Sequence, residues 1–441
     1  MLQVAFIRNN PALVKERLAI RNFKELNLVD TIISLDDERK KLQFEFDETQ
    51  SKINTASKEI GQLMAKGEKA ETEKRKEDVA TLKISLQPIN AKLAEIQKKL
   101  EDSVLLLPNL PSEKVPVVVK TETGELKLLG YAPDIIVTDL GNVVVKEGGT
   151  KPTLFSGAVP HWDLAKKYDI INFELGNKLT GSGFPVYKNK GAKLQRALIQ
   201  YFLDYNTAAG YTEYLPPFMV NAASAYGTGQ LPDKEGQMYY MPADEYYMIP
   251  TAEVPVTNIY RDEIVKENDL PIKMTAYTPC FRRESGSYGK DVRGLNRLHQ
   301  FDKVEIVQLV HPEKSYDVLE EMVAHVEKLL QSLQLPYRIL KLCGGDMGFT
   351  SALTYDFEVY SAAQQKWLEV SSVSNFESFQ TNRMKIRFKN ADGKMQLLHS
   401  LNGSSLPLPR IVAALLENNQ TENNIKLPEA LHKYFGDSKI N

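Results

Sequence analysis

Cysteine is nearly absent: Cys280 and Cys343 are the only two in 441 residues. They stand far apart and form no CxxC pair, so a disulfide framework is excluded and a zinc site built on cysteine pairs is not expected. Long apolar runs are missing too, and no stretch reaches membrane-spanning length. The opening MLQVAFIRNN carries an apolar run too short for a signal sequence and no small-residue cleavage site, so a cytoplasmic protein with no membrane partner is expected. Net charge is lacking as well, with 55 Lys and Arg against 57 Asp and Glu, a formal −2. The whole molecule therefore exerts no pull on a polyanion, and any nucleic acid must meet a local basic surface. What is present is an ordinary globular composition, 42% hydrophobic, in a chain too long for one small core.

The apolar positions Ile32, Leu35, Leu42, Phe46, Ile53, Ala56, Ile60 and Leu63 alternate steps of three and four, with Arg39 and Thr49 as polar entries. That is a heptad seam. After a charged break, KGEKAETEKRKED, a second seam runs through Val79, Leu82, Leu86, Ile89, Leu93, Ile96 and Leu100. Two matching stripes joined by a short polar turn imply an antiparallel helical hairpin, each arm reaching roughly 50 Å at about 1.5 Å per residue. Pro88 falls at an outward position, where it is expected to kink the second helix without breaking its seam. Pattern alone favours a dimerisation coiled coil or bundle element over a ligand-binding arm. If one face meets phosphate, the second helix, with Lys83, Lys92, Lys98 and Lys99, is the better candidate.

Prolines 108, 111 and 116 in VLLLPNLPSEKVP then end the helical region and mark a domain boundary, giving units of 1–110 and 111–441. Residues 193–209 read as an amphipathic helix stopped by Gly210, followed by the strand-like YTEYLPPFMV. Later strands joined by hairpin-like loops favour an α+β unit: a mostly antiparallel sheet flanked by helices.

Within that unit, FRRESGSYGKDVRGLNRLHQFDKVEIVQLV, residues 281–310, reads as a β-hairpin around a mobile loop, SGSYGKDVRGLN. Residues two apart share a strand face, so Arg282 and Glu284 are expected together, as are Phe301, Lys303 and Glu305. Arginine grips phosphate in a fork, phenylalanine offers a stacking face, and a carboxylate binds an ammonium. A surface hairpin with cross-strand ion pairs fits these residues equally well. MIPTAEVPVTN places Thr251 and Glu253 on one face of a short extended segment, either a hydroxyl and carboxylate pair or a plain edge strand. KWLEVSSVSNF combines Glu369 with Ser372, hard oxygen donors suited to Mg²⁺. A regular strand would turn them to opposite faces, so a bulge or strand end is required. LNGSSLPLPRIVAALLENNQ reads as strand, glycine turn and helix, with Arg410 in the first helical turn, an anion site that the helix dipole alone would not place there.

These residues resemble a known pattern. FRRE, a loop and RLHQFDKVE resemble the second signature of class II aminoacyl-tRNA synthetases. NGSSLPLPRIVAALLEN resembles the third, and GYTEYLPPFMV, with Pro217, the first, a dimer-interface motif. TAEVP, TGQLP, HQFDKVE and EVSSVSNF narrow the resemblance to the seryl-tRNA synthetases of the bacterial type, with a long N-terminal helical arm, across essentially the whole chain.

The resemblance implies a coiled-coil arm that binds tRNA and a catalytic domain that takes ATP, Mg²⁺ and L-serine, works as a homodimer and charges tRNA(Ser) and tRNA(Sec), with no DNA partner. It makes Thr251, Ala252 and Glu253 the serine-pocket segment, Glu305 the holder of the ammonium, and Ser404 a residue on the hydroxyl side. Arg282, Arg283 and Glu284 become ATP-contacting, with Arg282 at the α-phosphate; Leu298 and Phe301 belong to the same site, Phe301 stacking on adenine. Glu369, Val370, Ser371 and Ser372 form another ATP-contacting stretch in which Glu369 and Ser372 ligate the metal. Arg410 takes the γ-phosphate, and Arg282, Glu369 and Arg410 carry catalysis. The competing expectation is a synthetase-like binding or regulatory protein that charges no tRNA.

Overall fold

The computed structural model describes residues 1–120, 126–130, 135–285 and 293–441. The chain divides after Pro108 into two units. Among the described residues no helix is long and apolar enough to cross a membrane.

The first unit is helical: α1 (Val4–Asn9), α2 (Pro11–Ile20), α3 (Leu28–Lys66) and α4 (Lys69–Leu106). At 39 residues α3 extends about 58 Å. Helices α3 and α4 pair through two apolar clusters, one of Leu42, Leu93 and Ile96, the other of Ile53, Ala56 and Val79. The expected break is much shorter than its charge suggests. Only Gly67 and Glu68 leave the helix, and residues 69–78 already belong to α4. Charged residues at helical spacing propagate a helix as well as apolar ones do; what stops α3 is Gly67 at φ +78, where the Glu68 N–H returns to the Leu63 carbonyl. Pro88 is exposed inside a continuous α4, and Leu86 and Ile89 beside it stay half-buried. Of the second-helix lysines, Lys92 pairs with Glu38, Lys98 with Asp102 and Lys99 with Glu95.

The second unit is built on eight strands: β1 (Val143–Gly148), β2 (Thr212–Tyr214), β3 (Ile272–Phe281), β4 (Gln300–Val310), β5 (Tyr337–Lys341), β6 (Leu353–Ser361), β7 (Lys366–Asn375) and β8 (His399–Pro407). They lie in the order β1-β5-β6-β7-β8-β4-β3-β2, antiparallel throughout except for β2 on β3. The helices used below are α5 (His161–Lys167), α6 (Asn189–Ala208), α7 (Glu253–Asn258), α8 (Ser315–Ser332), α9 (Phe379–Met384) and α10 (Leu408–Asn418). Helix α6 packs on β3 and β4, α8 on β7 and β8, and α10 on β6 and β4. In α8 the buried residues Val318, Leu319, Met322, Val326, Leu329 and Leu330 recur at the three- and four-residue spacing that one face requires.

Two bulges shape the centre of the sheet. On β7, Phe357 faces Ser371 while Glu358 faces Glu369, so Val370 is the extra residue. This is the irregularity that the Glu369 to Ser372 spacing demands. On β8, Lys303 faces Pro407 and Glu305 faces Ser404, leaving an extra residue where Leu406 sits at φ +85.

Several local expectations are corrected. Gly403 forms no turn: it lies inside β8, where a Cβ would stand 3.2 Å from Val373 and 3.3 Å from Ile306, so the glycine admits neighbours packed on the strand. The run YTEYLPPFMV is two short strands, β2 and Met219–Asn221, because adjacent prolines remove the ladder donors between them. The segment at Thr251 is not extended: Thr251 Oγ1 accepts from the Glu253 N–H at 3.3 Å and α7 begins there, with Pro255 in the first turn where a missing N–H costs nothing. Of the expected mobile loop, residues 286–292 lie outside the described residues.

Candidate active site

A cleft of about 500 Å³ lies over β4, β7 and β8. Strand alternation turns Phe301, Lys303 and Glu305 toward it from β4, and the β7 bulge brings Glu369 and Ser372 to it together. Ser404 enters from β8, Arg410 from the first turn of α10, and Thr251 and Glu253 from the start of α7.

One end is cationic and aromatic. Strand β3 stops at Phe281, so Arg282 and Glu284 do not share a strand face; the chain turns there, with Glu284 at φ +50. Both side chains still reach the cleft. The Arg282 guanidinium lies 5.2 Å from the centroid of Phe301, and its Nε donates to the Pro250 carbonyl at 3.3 Å. Glu284 is paired with Arg297. Arg410 donates to the carbonyls of Asn296 at 2.9 Å and Glu369 at 2.7 Å, which fixes its direction without neutralising its charge. Leu298, Val370 and Ser371 also line the cleft, with Ser371 Oγ donating to the Ser404 carbonyl at 2.7 Å.

The other end buries its charges. Lys303 donates to Thr251 Oγ1 at 2.9 Å and pairs with Glu305 at 2.5 Å, both ions being 5% exposed or less. Ser404 Oγ donates to Glu305 Oε2 at 3.3 Å. Glu305 Oε1, also buried, has no hydrogen-bond partner among the described residues. A buried carboxylate oxygen left unpaired is costly, and a cation entering the cleft relieves that cost. Glu253 accepts from Gln380 at 2.6 Å; burial pushes its carboxyl up to about 7, opposed by the Gln380 bond and reinforced by the Glu305 charge.

Glu369 and Ser372 present a carboxylate and a hydroxyl side by side. Across the ladder from Ser372, Asp356 Oδ1 is buried with no hydrogen-bond partner among the described residues. This all-oxygen donor set fits a hard divalent cation.

Not every expected cleft residue reaches the cleft. Ala252 is fully buried in an apolar cluster with Val256 and Met274, and Arg283 is exposed and holds the Gln237 carbonyl through its backbone. Pro217, expected at a dimer interface, is exposed. Lys303 was visible in the alternation of β4 yet not expected as the partner of Glu305. Gln380 carries no sequence signal at all, because its place beside Glu253 is set by α9 from 127 residues away.

Comparison with known proteins agrees along the whole chain. The family model of the seryl-tRNA synthetase N-terminal domain matches residues 1–111, and that of the tRNA synthetase class II core domain (G, H, P, S and T) matches residues 240–419. The chain is 47% identical to the serine–tRNA ligase of Salinibacter ruber, covering 100% of this chain and 99% of that protein. It is 45% identical to the serine–tRNA ligase of Delftia acidovorans, covering 99% and 98%. The solved structure of seryl-tRNA synthetase from Pyrococcus horikoshii complexed with ATP superposes with a TM-score of 0.85 at 31% identity, over 100% of this chain and 99% of that one.

Proposed function

The chain belongs to the seryl-tRNA synthetase family, and from that premise we propose that its cleft activates L-serine with ATP and passes the serine to the 3′ end of tRNA(Ser) and tRNA(Sec). One observation carries the assignment of roles: a single cleft joins two directed guanidinium groups, one of them over an aromatic face, to a buried carboxylate oxygen that has no partner among the described residues. Glu305 Oε1 takes the serine ammonium, and Ser404, Thr251 and Glu253 surround the hydroxyl. Alanine and glycine would leave these buried polar groups unpaired, which is the stronger form of discrimination. Phe301 stacks on adenine, with the neighbouring Leu298 completing that wall.

In the first step the serine carboxylate attacks the α-phosphorus in line, a P–O bond forms to the acyl oxygen, and pyrophosphate leaves. Arg282 offsets charge on the α-phosphate and Arg410 on the γ-phosphate, so the protein contributes orientation and electrostatics and no nucleophile. Glu369 and Ser372 are the residues that would hold Mg²⁺, which when bound neutralises phosphate charge. In the second step the terminal ribose hydroxyl of tRNA attacks the carbonyl of the mixed anhydride and AMP departs.

The α3–α4 arm binds the tRNA by shape and backbone contact, which suits a chain without net positive charge. The pairing of Lys92, Lys98 and Lys99 with acids supports a shape-led mode. A homodimer forms through the region of Pro217, where Leu215 is 78% and Met219 50% exposed. The protein works in the cytoplasm.

Serine-dependent exchange of labelled pyrophosphate into ATP tests the activation step, and removal of residues 30–102 tests the arm. Exchange is expected in both forms and tRNA charging only in the full chain. No exchange above background in the full chain would favour a binding protein, and undiminished charging without the arm would remove its assigned role.

A further inference from the structure

We propose that His161, which touches neither end of the cleft, is a positioning residue for its triphosphate end, acting through the limb of chain at residues 293–296. The proposal rests on the adenylate-forming reading above and adds a residue to it.

His161 opens α5 and is fully buried. Its Nε2 accepts from the Leu295 N–H at 2.8 Å. A backbone amide can only donate, so Nε2 bears the lone pair and Nδ1 the hydrogen. Nδ1 then donates to Glu417 Oε1 at 2.7 Å, and that oxygen also accepts the His161 backbone N–H at 2.9 Å. Glu417 lies in the last turn of α10 and is bonded as well by Ser361 and by Gln364, the latter at 3.0 Å. Gln364 Oε1 accepts from Asn296 Nδ2 at 2.9 Å, and the Asn296 carbonyl accepts from Arg410 in the first turn of the same helix. Leu295 and Asn296, which both line the cleft, are thus tied to the two ends of α10.

Two observations separate this reading from a purely structural clamp. The chain entering α5 is already joined to the end of α10 by a reciprocal pair, Val159 N–H to Gln420 Oε1 and Gln420 Nε2 to the Val159 carbonyl, each 2.9 Å, so Nε2 is not needed for that attachment. The limb is also shaped to the imidazole: Gly294 takes φ +67, and a Cβ there would stand 2.2 Å from His161 Nε2. Arg293 adds a guanidinium 4.5 Å from the Trp162 ring centroid.

The test compares His161→Asn, which keeps a donor to Glu417 but places no acceptor at Leu295, with His161→Gln, whose longer amide reaches the Nε2 position. In serine-dependent pyrophosphate exchange, His161→Asn is expected to raise the KM for ATP about tenfold, the effect of one lost buried hydrogen bond, with the KM for serine unchanged within about twofold. His161→Gln restores most of the ATP affinity. Gly294→Ala, which sets a Cβ against His161 Nε2 and so displaces the limb while keeping the His161 and Glu417 side chains themselves, reproduces the ATP defect and decides the matter if His161→Asn does not fold. The inference is overturned by an unchanged KM for ATP in the folded variants, by equal rises in both KM values with a lowered melting temperature, or by glutamine serving no better than asparagine. Absence of exchange in the unmodified chain would instead remove the reading beneath it.

Discussion

The arm and the cleft bury their interiors by opposite rules. Between α3 and α4 the buried layers repeat, Leu42 with Leu93 and Ile96, then Ile53 and Ala56 with Val79, and each layer resembles the next. In the cleft and the polar shell behind it no two contacts are alike: Lys303 meets Thr251 across 52 residues, Ser404 meets Glu305 across 99, and, behind the cleft, His161 meets Glu417 across 256. The arm hides apolar side chains whose partners are interchangeable, whereas the cleft hides ions and amides whose partners are specific. A repetitive seam therefore supplies reach and shape, and a non-repetitive polar interior supplies chemistry.

The sharpest break of that comparison is Arg282→Ala. It is expected to lower serine-dependent exchange by about 10³-fold, the loss typical of a group that meets developing charge, with the helical content of the arm unchanged. A loss below about tenfold would show that the cleft, like the arm, spreads its work over replaceable contacts.

A second test uses pH. The Glu253 carboxyl is raised from 4.5 to about 7 by burial, so between these values the folded protein holds a proton that the unfolded chain releases. The group costs nothing below about pH 4.5, and stability falls as pH rises toward about 7, by up to about 3 kcal/mol. Denaturant unfolding of the catalytic unit at about pH 5 and about pH 8 should show this fall, and Glu253→Gln should flatten it. An equal slope in the variant would mean that another group titrates.

The smallest expected effect sharpens the comparison from the other side. Leu93→Ala leaves a hole beside Leu42 and Ile96 and should lower the stability of the arm by about 2 kcal/mol, read as an earlier first unfolding transition. Exchange should be untouched and charging reduced. A matching drop in exchange would contradict the separation of duties.

Much of the architecture was legible because period and spacing are local. The heptads of residues 32–63 and 79–100 gave both arms, and the alternation of Phe301, Lys303 and Glu305 gave one wall of the cleft. The misreadings also have local causes: charge in residues 66–78 looked like a break because it interrupts the apolar seam, although charge and helix are compatible, and Gly403 looked like a turn because nothing nearby in the chain tells a turn from a crowded strand. Arg282 and Glu284 arrived at the cleft by a turn rather than by a shared strand face.

By itself the chain determined where helices and strands run, that the Glu369 to Ser372 stretch must bulge, and that an arginine opens α10, since each depends on neighbours within a few residues. Only the tertiary structure decided that Lys303 pairs with Glu305 while one carboxylate oxygen stays open, that Gln380 meets Glu253, and that His161 bridges a loop to Glu417. Those pairings form between residues far apart in the chain, and a buried ion or amide takes its partner from whatever the register of the sheet and the packing of the helices bring within about 3 Å.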